Sequence, residues 1–258
     1  MARKRNFRRR LQAATRAVVA LLALGLAGPQ AAAQSAFSID PGTFANAMAV
    51  PPMVERLERS HRIIFGAQSA LPQGESRSAR QSLRAPATMP TSTSTVVPRD
   101  PQRSVIPAMA EPYPAHARPQ AQRLFKELLT GFHKLERELG VPQGDAATAV
   151  AAFLTGSYIA YTGQEVPDEY FRPLIEQMRQ AIAGNPQFTN ATAAEKQQMY
   201  EHLAIVGMFM ATTHQALQQQ PNAEIRSRMR EAGRQQLESF LGTRAERVAL
   251  GPQGLSIR

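Results

Sequence analysis

From Leu203 to Ala211 the chain reads LAIVGMFMA, a run without a polar side chain. A helix that is apolar on every side wants burial on every side, so this run predicts the central helix of a helical domain. Around it, positions 199, 203, 206, 210, 213 and 217 alternate in steps of four and three, placing Met199, Leu203, Val206, Met210, Thr213 and Leu217 on one face. Ile205, Phe209 and Ala216 widen that face. Thr192 with Glu195 three residues later forms a capping-box signature. Pro221, after a run of glutamines, disfavours helix in the residue before it. The spacing thus predicts a helix over Thr192 to Gln218.

The flanking segments read as its cover. Arg118-Pro119 opens a helix carrying Leu124, Leu128, Phe132, Leu135 and Leu139, and Gly140 suits its C-terminal cap. Asp145 caps a second, Ala146 to Tyr161, in which Ala152, Gly156 and Ala160 stand four apart. Small side chains at that spacing make a groove that another helix backbone can enter. Pro167-Asp168 opens a third helix with Phe171, Leu174, Ile175, Met178 and Ile182 inward, a slight kink expected at Pro173, and Gly184 at its end. Asn222 caps a last helix that turns Ile225, Met229, Ala232, Leu237, Phe240 and Leu241 inward and Arg226, Arg228, Arg230 and Arg234 mostly outward, closing at Gly242. The tail from Thr243 to Arg258 is expected to lie extended across the bundle. The fold class is therefore all-α, a bundle of about five helices around a central apolar one.

Composition divides the rest of the chain. Residues 34 to 119 hold 12 of the 19 prolines, and Arg77 to Val105 is mostly Ser, Thr, Pro, Ala and Arg. Such a stretch buries too little surface to offset the entropy of ordering. Residues 34–117 are accordingly expected to be mostly disordered, with Ala70 to His116 a linker. One island, residues 52–65, carries Val54, Leu57, Ile63, Ile64 and Phe65 at helical spacing, either to dock on the domain or to enter a partner's groove. At the start, seven cations from Arg3 to Arg16 precede the apolar run Ala17 to Ala27 and the triplet Ala31-Ala32-Ala33. That is the pattern of a secretory signal peptide cleaved after Ala33.

The signal peptide changes the meaning of the charge. The whole chain carries +10, but without residues 1–33 it holds 23 Lys and Arg against 20 Asp and Glu, a net of +3. A near-neutral domain lacks the footprint of a nucleic-acid binder. The chain has no cysteine, so disulfides and thiolate metal sites are excluded. The longest apolar runs are shorter than the roughly 20 residues of a membrane span, so no transmembrane segment is expected after cleavage.

Candidate chemistry is sparse. No H-E-x-x-H or G-x-S-x-G pattern occurs; Gly156-Ser157-Tyr158 sits inside a predicted helix, and Ser157 reads as a packing residue. Glu136 and Glu138, like Asp168 and Glu169, read as solvated residues of polar helix faces or first turns. Asn190-Ala191-Thr192 matches a glycosylation sequon, but Thr192 is already used as a cap. Met199 with His202 and Met210 with His214 stand three and four residues apart, a spacing open to soft ligation of Cu(I), although methionines at helical spacing fill cores in most proteins. No catalytic residue and no cofactor is assigned.

Taken in order, the turn Gly140-Val141, the opening Asp145-Ala146-Ala147, the run Asn185-Pro186-Gln187-Phe188, the stretch Ala194 to Glu201 and the tail Gly251-Pro252-Gln253-Gly254-Leu255 resemble a family of exported proteobacterial proteins of unknown function. The likeness spans roughly Arg118 to Leu255. It implies a secreted, all-helical domain, 118–258, after a variable linker, and supplies no activity. The expected role is non-catalytic: a periplasmic or secreted domain that meets an unidentified envelope protein, with grooves lined by Ala, Gly and Tyr open to an apolar ligand or a partner helix. The alternative is a carrier of a small ligand or copper on the central helix.

Overall fold

The computed structural model describes Phe44, Ala47, residues 51–66 and residues 94–258. The predicted signal peptide and most of the segment 34–93 lie outside the described residues. Within them the chain forms eight α-helices and one two-stranded sheet. The helices are α1 (Pro51–Phe65), α2 (Ile106–Ala110), α3 (Arg118–Leu139), α4 (Ala146–Thr162), α5 (Asp168–Ala183), α6 (Pro186–Asn190), α7 (Ala193–Gln219) and α8 (Ala223–Leu241). The strands are β1 (Val248–Gly251) and β2 (Gly254–Ile257).

The expected capping box holds α7 at its start. The Thr192 hydroxyl accepts from the Glu195 amide while the Glu195 carboxylate accepts from the Thr192 amide at 2.9 Å. Every residue from Met199 to Met210 is buried. The helix is matched by α4, which carries no charge and buries Ala146 through Leu154 without interruption. The heart of the fold is therefore a pair of helices.

Glycine decides how close these helices come. A Cβ on Gly207 of α7 would lie 2.5 Å from the Ala152 carbonyl group of α4, and one on Gly156 would lie 2.2 Å from the Gly207 oxygen. On the other side of α4, a Cβ on Gly233 of α8 would meet the Ser157 oxygen at 2.6 Å. Three backbones thus touch with no side chain between them. The predicted small-residue groove exists, but α7 and α8 of the same chain fill it. The groove is thus the buried helix contact that its spacing predicts.

Helix α8 runs antiparallel to α4: Phe240 packs on Phe153 at one end, with ring centroids 4.8 Å apart, and Arg230 lies over Tyr161 near the other. Helix α1 docks on this layer. Its His61 Nδ1 donates to the Phe240 carbonyl oxygen, Phe65 meets Phe240 edge-on, and Asn185 donates to the Ile63 oxygen at 2.8 Å. Ahead of α1, Phe44 is fully buried and stacks on Phe209 of α7.

Residues 94–117, which composition placed in the linker, form a packed strap. Val97, Val105, Ile106, Met109, Ala110 and Tyr113 are buried in it. Val105, Ile106, Met109, Ala110 and Tyr113 do follow helical spacing, but over only nine residues interrupted by Pro107 and Pro112, too short a run to stand out in a proline-rich stretch. They fit because the neighbouring core supplies acceptors and donors for the strap's backbone. The Val97 amide donates to the carbonyl oxygen of Gly144, whose φ of +84° and close approach to the Val97 oxygen admit only glycine. The packed unit therefore begins well before Arg118.

The tail is also more regular than expected. Strands β1 and β2 pair antiparallel, Val248 opposite Ile257 and Leu250 opposite Leu255. Gln177 of α5 pins the hairpin by accepting from the Leu255 amide at 2.7 Å and donating to the Leu255 oxygen at 2.9 Å.

Candidate functional site

Two kinds of polar site occur inside this bundle, buried carboxylates and pockets that open to solvent. The first kind is structural. Glu136 of α3, read from the sequence as solvated, is fully buried; its Oε1 accepts from the Gly144 and Asp145 amides and its Oε2 from the Tyr200 hydroxyl at 2.9 Å. It closes the α3–α4 turn on α7. Next to it Asp145 stands at the cap position of α4, yet its carboxylate does not cap an amide. It accepts instead from the hydroxyls of Thr95 and Thr148 and from Arg179 at 2.8 Å. Glu201 of α7 accepts from the Ser104 hydroxyl at 2.7 Å, the Val105 amide at 2.8 Å and the Gln197 side chain at 2.8 Å. Each of these carboxylates is engaged in holding backbone or the strap.

Burial pushes the Glu136 carboxyl up to about 7, against the Tyr200 hydroxyl and the two amides, which favour the anion. A group whose folded value is raised stabilises fully below its unfolded value and loses that contribution as pH rises through the folded one. Stability attributable to Glu136 is thus expected to fall between pH of about 4.5 and about 7. Glutamine keeps an acceptor for the amides and does not titrate. Denaturant unfolding across that range should show Glu136→Gln gaining on the parent as pH rises; a constant difference between the two would refute the assignment.

The second kind of site is a pocket of about 210 Å³ where α4 ends beside the α7–α8 turn. Gly163 in the left-handed conformation terminates α4 there, while α7 continues past it and Asn222 caps α8 on the far side by accepting from the Ile225 amide. The floor is apolar: Met210, Leu217 and Met229 are buried, with Ala160 beside them. The rim is polar, made by His214, Gln218 and Arg226. Burial holds His214 below the usual imidazole value, opposed by Glu165 and assisted by Arg226. Its Nε2 meets the Gln218 side-chain nitrogen at 3.2 Å, an amide that can only donate, so this imidazole nitrogen accepts.

The four soft-ligand candidates are not brought together. Met210 and His214 line this pocket; Met199 and His202 lie about 16 Å further along α7, from a rise of 1.5 Å per residue. There they edge a second cavity of about 20 Å³, in company with Arg56 and Arg59. His202 is buried with no partner at Nδ1, and desolvation lowers it to about 4. Met229 joins Met210 from another helix, and no local spacing could have announced that. Ser157 is buried with its hydroxyl unpartnered, in keeping with a packing role against Gly233.

A family model of unknown function, DUF6683, matches residues 12–258. The chain belongs to the DUF6683 family. The match begins far ahead of Arg118, so the DUF6683 unit takes in the strap and α1 as well as the five long helices, in agreement with their packing. No curated protein and no solved structure matches this DUF6683 chain.

Proposed function

We propose that the chain is an exported, non-catalytic binding protein of the bacterial envelope, and that it holds a small ligand in the pocket between α4, α7 and α8. The observation that carries the reading is the juxtaposition there of a buried apolar floor and an open polar rim, the usual make-up of a small-molecule site. Two findings move the weight from a protein partner to a ligand. The Ala- and Gly-lined groove is occupied by the chain's own helices, and among the described residues Val96 is the only large apolar side chain that is exposed. The engagement of Glu136, Asp145 and Glu201 in backbone and strap contacts supports a non-catalytic role. The cationic, apolar and small-residue order of residues 3–33 supports export.

Methionine-methyl NMR tests the binding. A set of one-ring fragments should include compounds that move the Met210 and Met229 methyl resonances and leave Met53, Met109 and Met178 in place. Fragments that move no methionine, or only distant ones, sink the ligand reading. Export is tested separately, by N-terminal sequencing of the secreted fraction, which should begin at Gln34; a chain that keeps Arg3 and stays in the cytoplasm would overturn it.

A further inference from the structure

We infer that the ligand is a small organic carboxylate with a single ring or branched apolar group, seated on the methionine floor with its carboxylate at Arg226. The inference rests on the pocket reading above and adds the chemical class. Size comes first. An apolar protein cavity of about 150 Å³ takes up benzene, so the 210 Å³ here suits one ring with a short substituent and is far too roomy to clasp a lone metal ion. The lining comes second. Met210 and Met229 present polarizable thioethers, which pack favourably against aromatic rings and adapt to irregular shapes.

Charge decides the head group. Helix α8 carries a row of arginines, and most are accounted for by neighbours. Arg228 pairs with Glu224, Arg234 with Glu231 and Glu238, and Arg230 lies over the Tyr161 ring. Arg226, at the pocket rim, has no carboxylate within ion-pair distance among the described residues. A guanidinium offers two parallel donors matched to a carboxylate. Gln218 adds an amide beside it. Burial holds His214 below the usual imidazole value and its Nε2 is engaged with Gln218, which leaves Arg226 as the cation of the rim. Glu165 is exposed and acts on His214; its distance from Arg226 exceeds that of an ion pair. The same cation at the mouth disfavours Cu(I), which also finds the His214 nitrogen occupied.

The test compares phenylpropionate, phenylpropanol and acetate by methionine-methyl NMR on the chain from Gln34. Phenylpropionate should move the Met210 and Met229 methyls saturably, and phenylpropanol should bind about tenfold more weakly, the scale of a charge-assisted hydrogen bond. Acetate alone should leave both methyls unmoved. Arg226→Gln, an exposed position, should bring the acid down to the level of the alcohol and leave the alcohol unchanged. If acid and alcohol bind alike and Arg226→Gln changes neither, the carboxylate inference is overturned while the pocket reading stands. If neither ring compound moves the two methyls, the inference fails, and with no response from the wider fragment set the pocket reading fails with it. Cu(I) moving them where both ring compounds fail would replace it with a soft-metal site.

Discussion

Replacing Gly207 with alanine is expected to cost about 4 kcal/mol or more, at the upper end of what one methyl group does to a protein. The new Cβ would fall 2.5 Å from the carbonyl carbon and oxygen of Ala152, and 2.6 Å from the Phe153 amide nitrogen. All three atoms are backbone, so no rotamer change relieves the contact. Helices α4 and α7 must separate, and that opens voids along the whole charge-free length of α4. The control is Gly131→Ala in α3. Its Cβ would meet only the Met208 Cε, at 3.6 Å, an ordinary contact. In the middle of a helix that change should stabilise by about 0.5 to 1 kcal/mol, through the lower backbone entropy of alanine in the unfolded chain. Paired urea unfolding curves decide the matter. Similar effects for the two substitutions would mean that the α4–α7 contact is looser than described.

The second large effect is expected at Glu201→Ala, with a loss of about 3 kcal/mol concentrated in one segment. The carboxylate is the shared acceptor for the Ser104 hydroxyl, the Val105 amide and the Gln197 side chain. Gln197 in turn exchanges two hydrogen bonds with the Asp100 backbone. Removing Glu201 leaves a buried amide without a partner, the costly half of losing a hydrogen bond. It also frees the side chain that holds the next turn of the strap. The strap should open while the helices persist, as local unfolding does where few contacts hold a segment. Brief trypsin digestion should then cut at Arg99 and Arg103 much faster than in the parent, before any site in α7. Cleavage that speeds up equally across the chain would show that the strap and the core unfold together.

Most of the long helices were legible because they carry their own punctuation: Thr192 with Glu195, Asn222, Gly140 and Gly242 mark ends by local chemistry that needs no tertiary context. The face of α7 from Met199 to Leu217 could be read in the same way. The strap could not. Val97, Val105 and Tyr113 stand in a short stretch broken by prolines and serines, and what holds it lies far off in the chain: the Gly144 carbonyl for Val97 and the Glu201 carboxylate, 96 residues later, for Val105. Glu136 was misread for a related reason. A lone glutamate near the end of a helix looks solvated until the Gly144 turn folds back over it. The pocket was half visible: Met210 and His214 share a helix, whereas Met229 and Arg226 reach it only through the α7–α8 turn.

The triple backbone contact of α4 with α7 and α8 also governs when the molecule can fold. A nascent chain that has emerged only as far as Gln219 has the charge-free α4 with its Ser157 and Tyr161 flank still bare, because Gly233 has yet to arrive to cover it. At an earlier stage the strap has to wait too, until its anchor Glu201 has been made 96 residues after Val105. Segments made early thus depend on partners made near the end, and closing such distant pairs is slow. The core is complete only once α8 has been made, and until then its most apolar helix must be kept from meeting that of another chain.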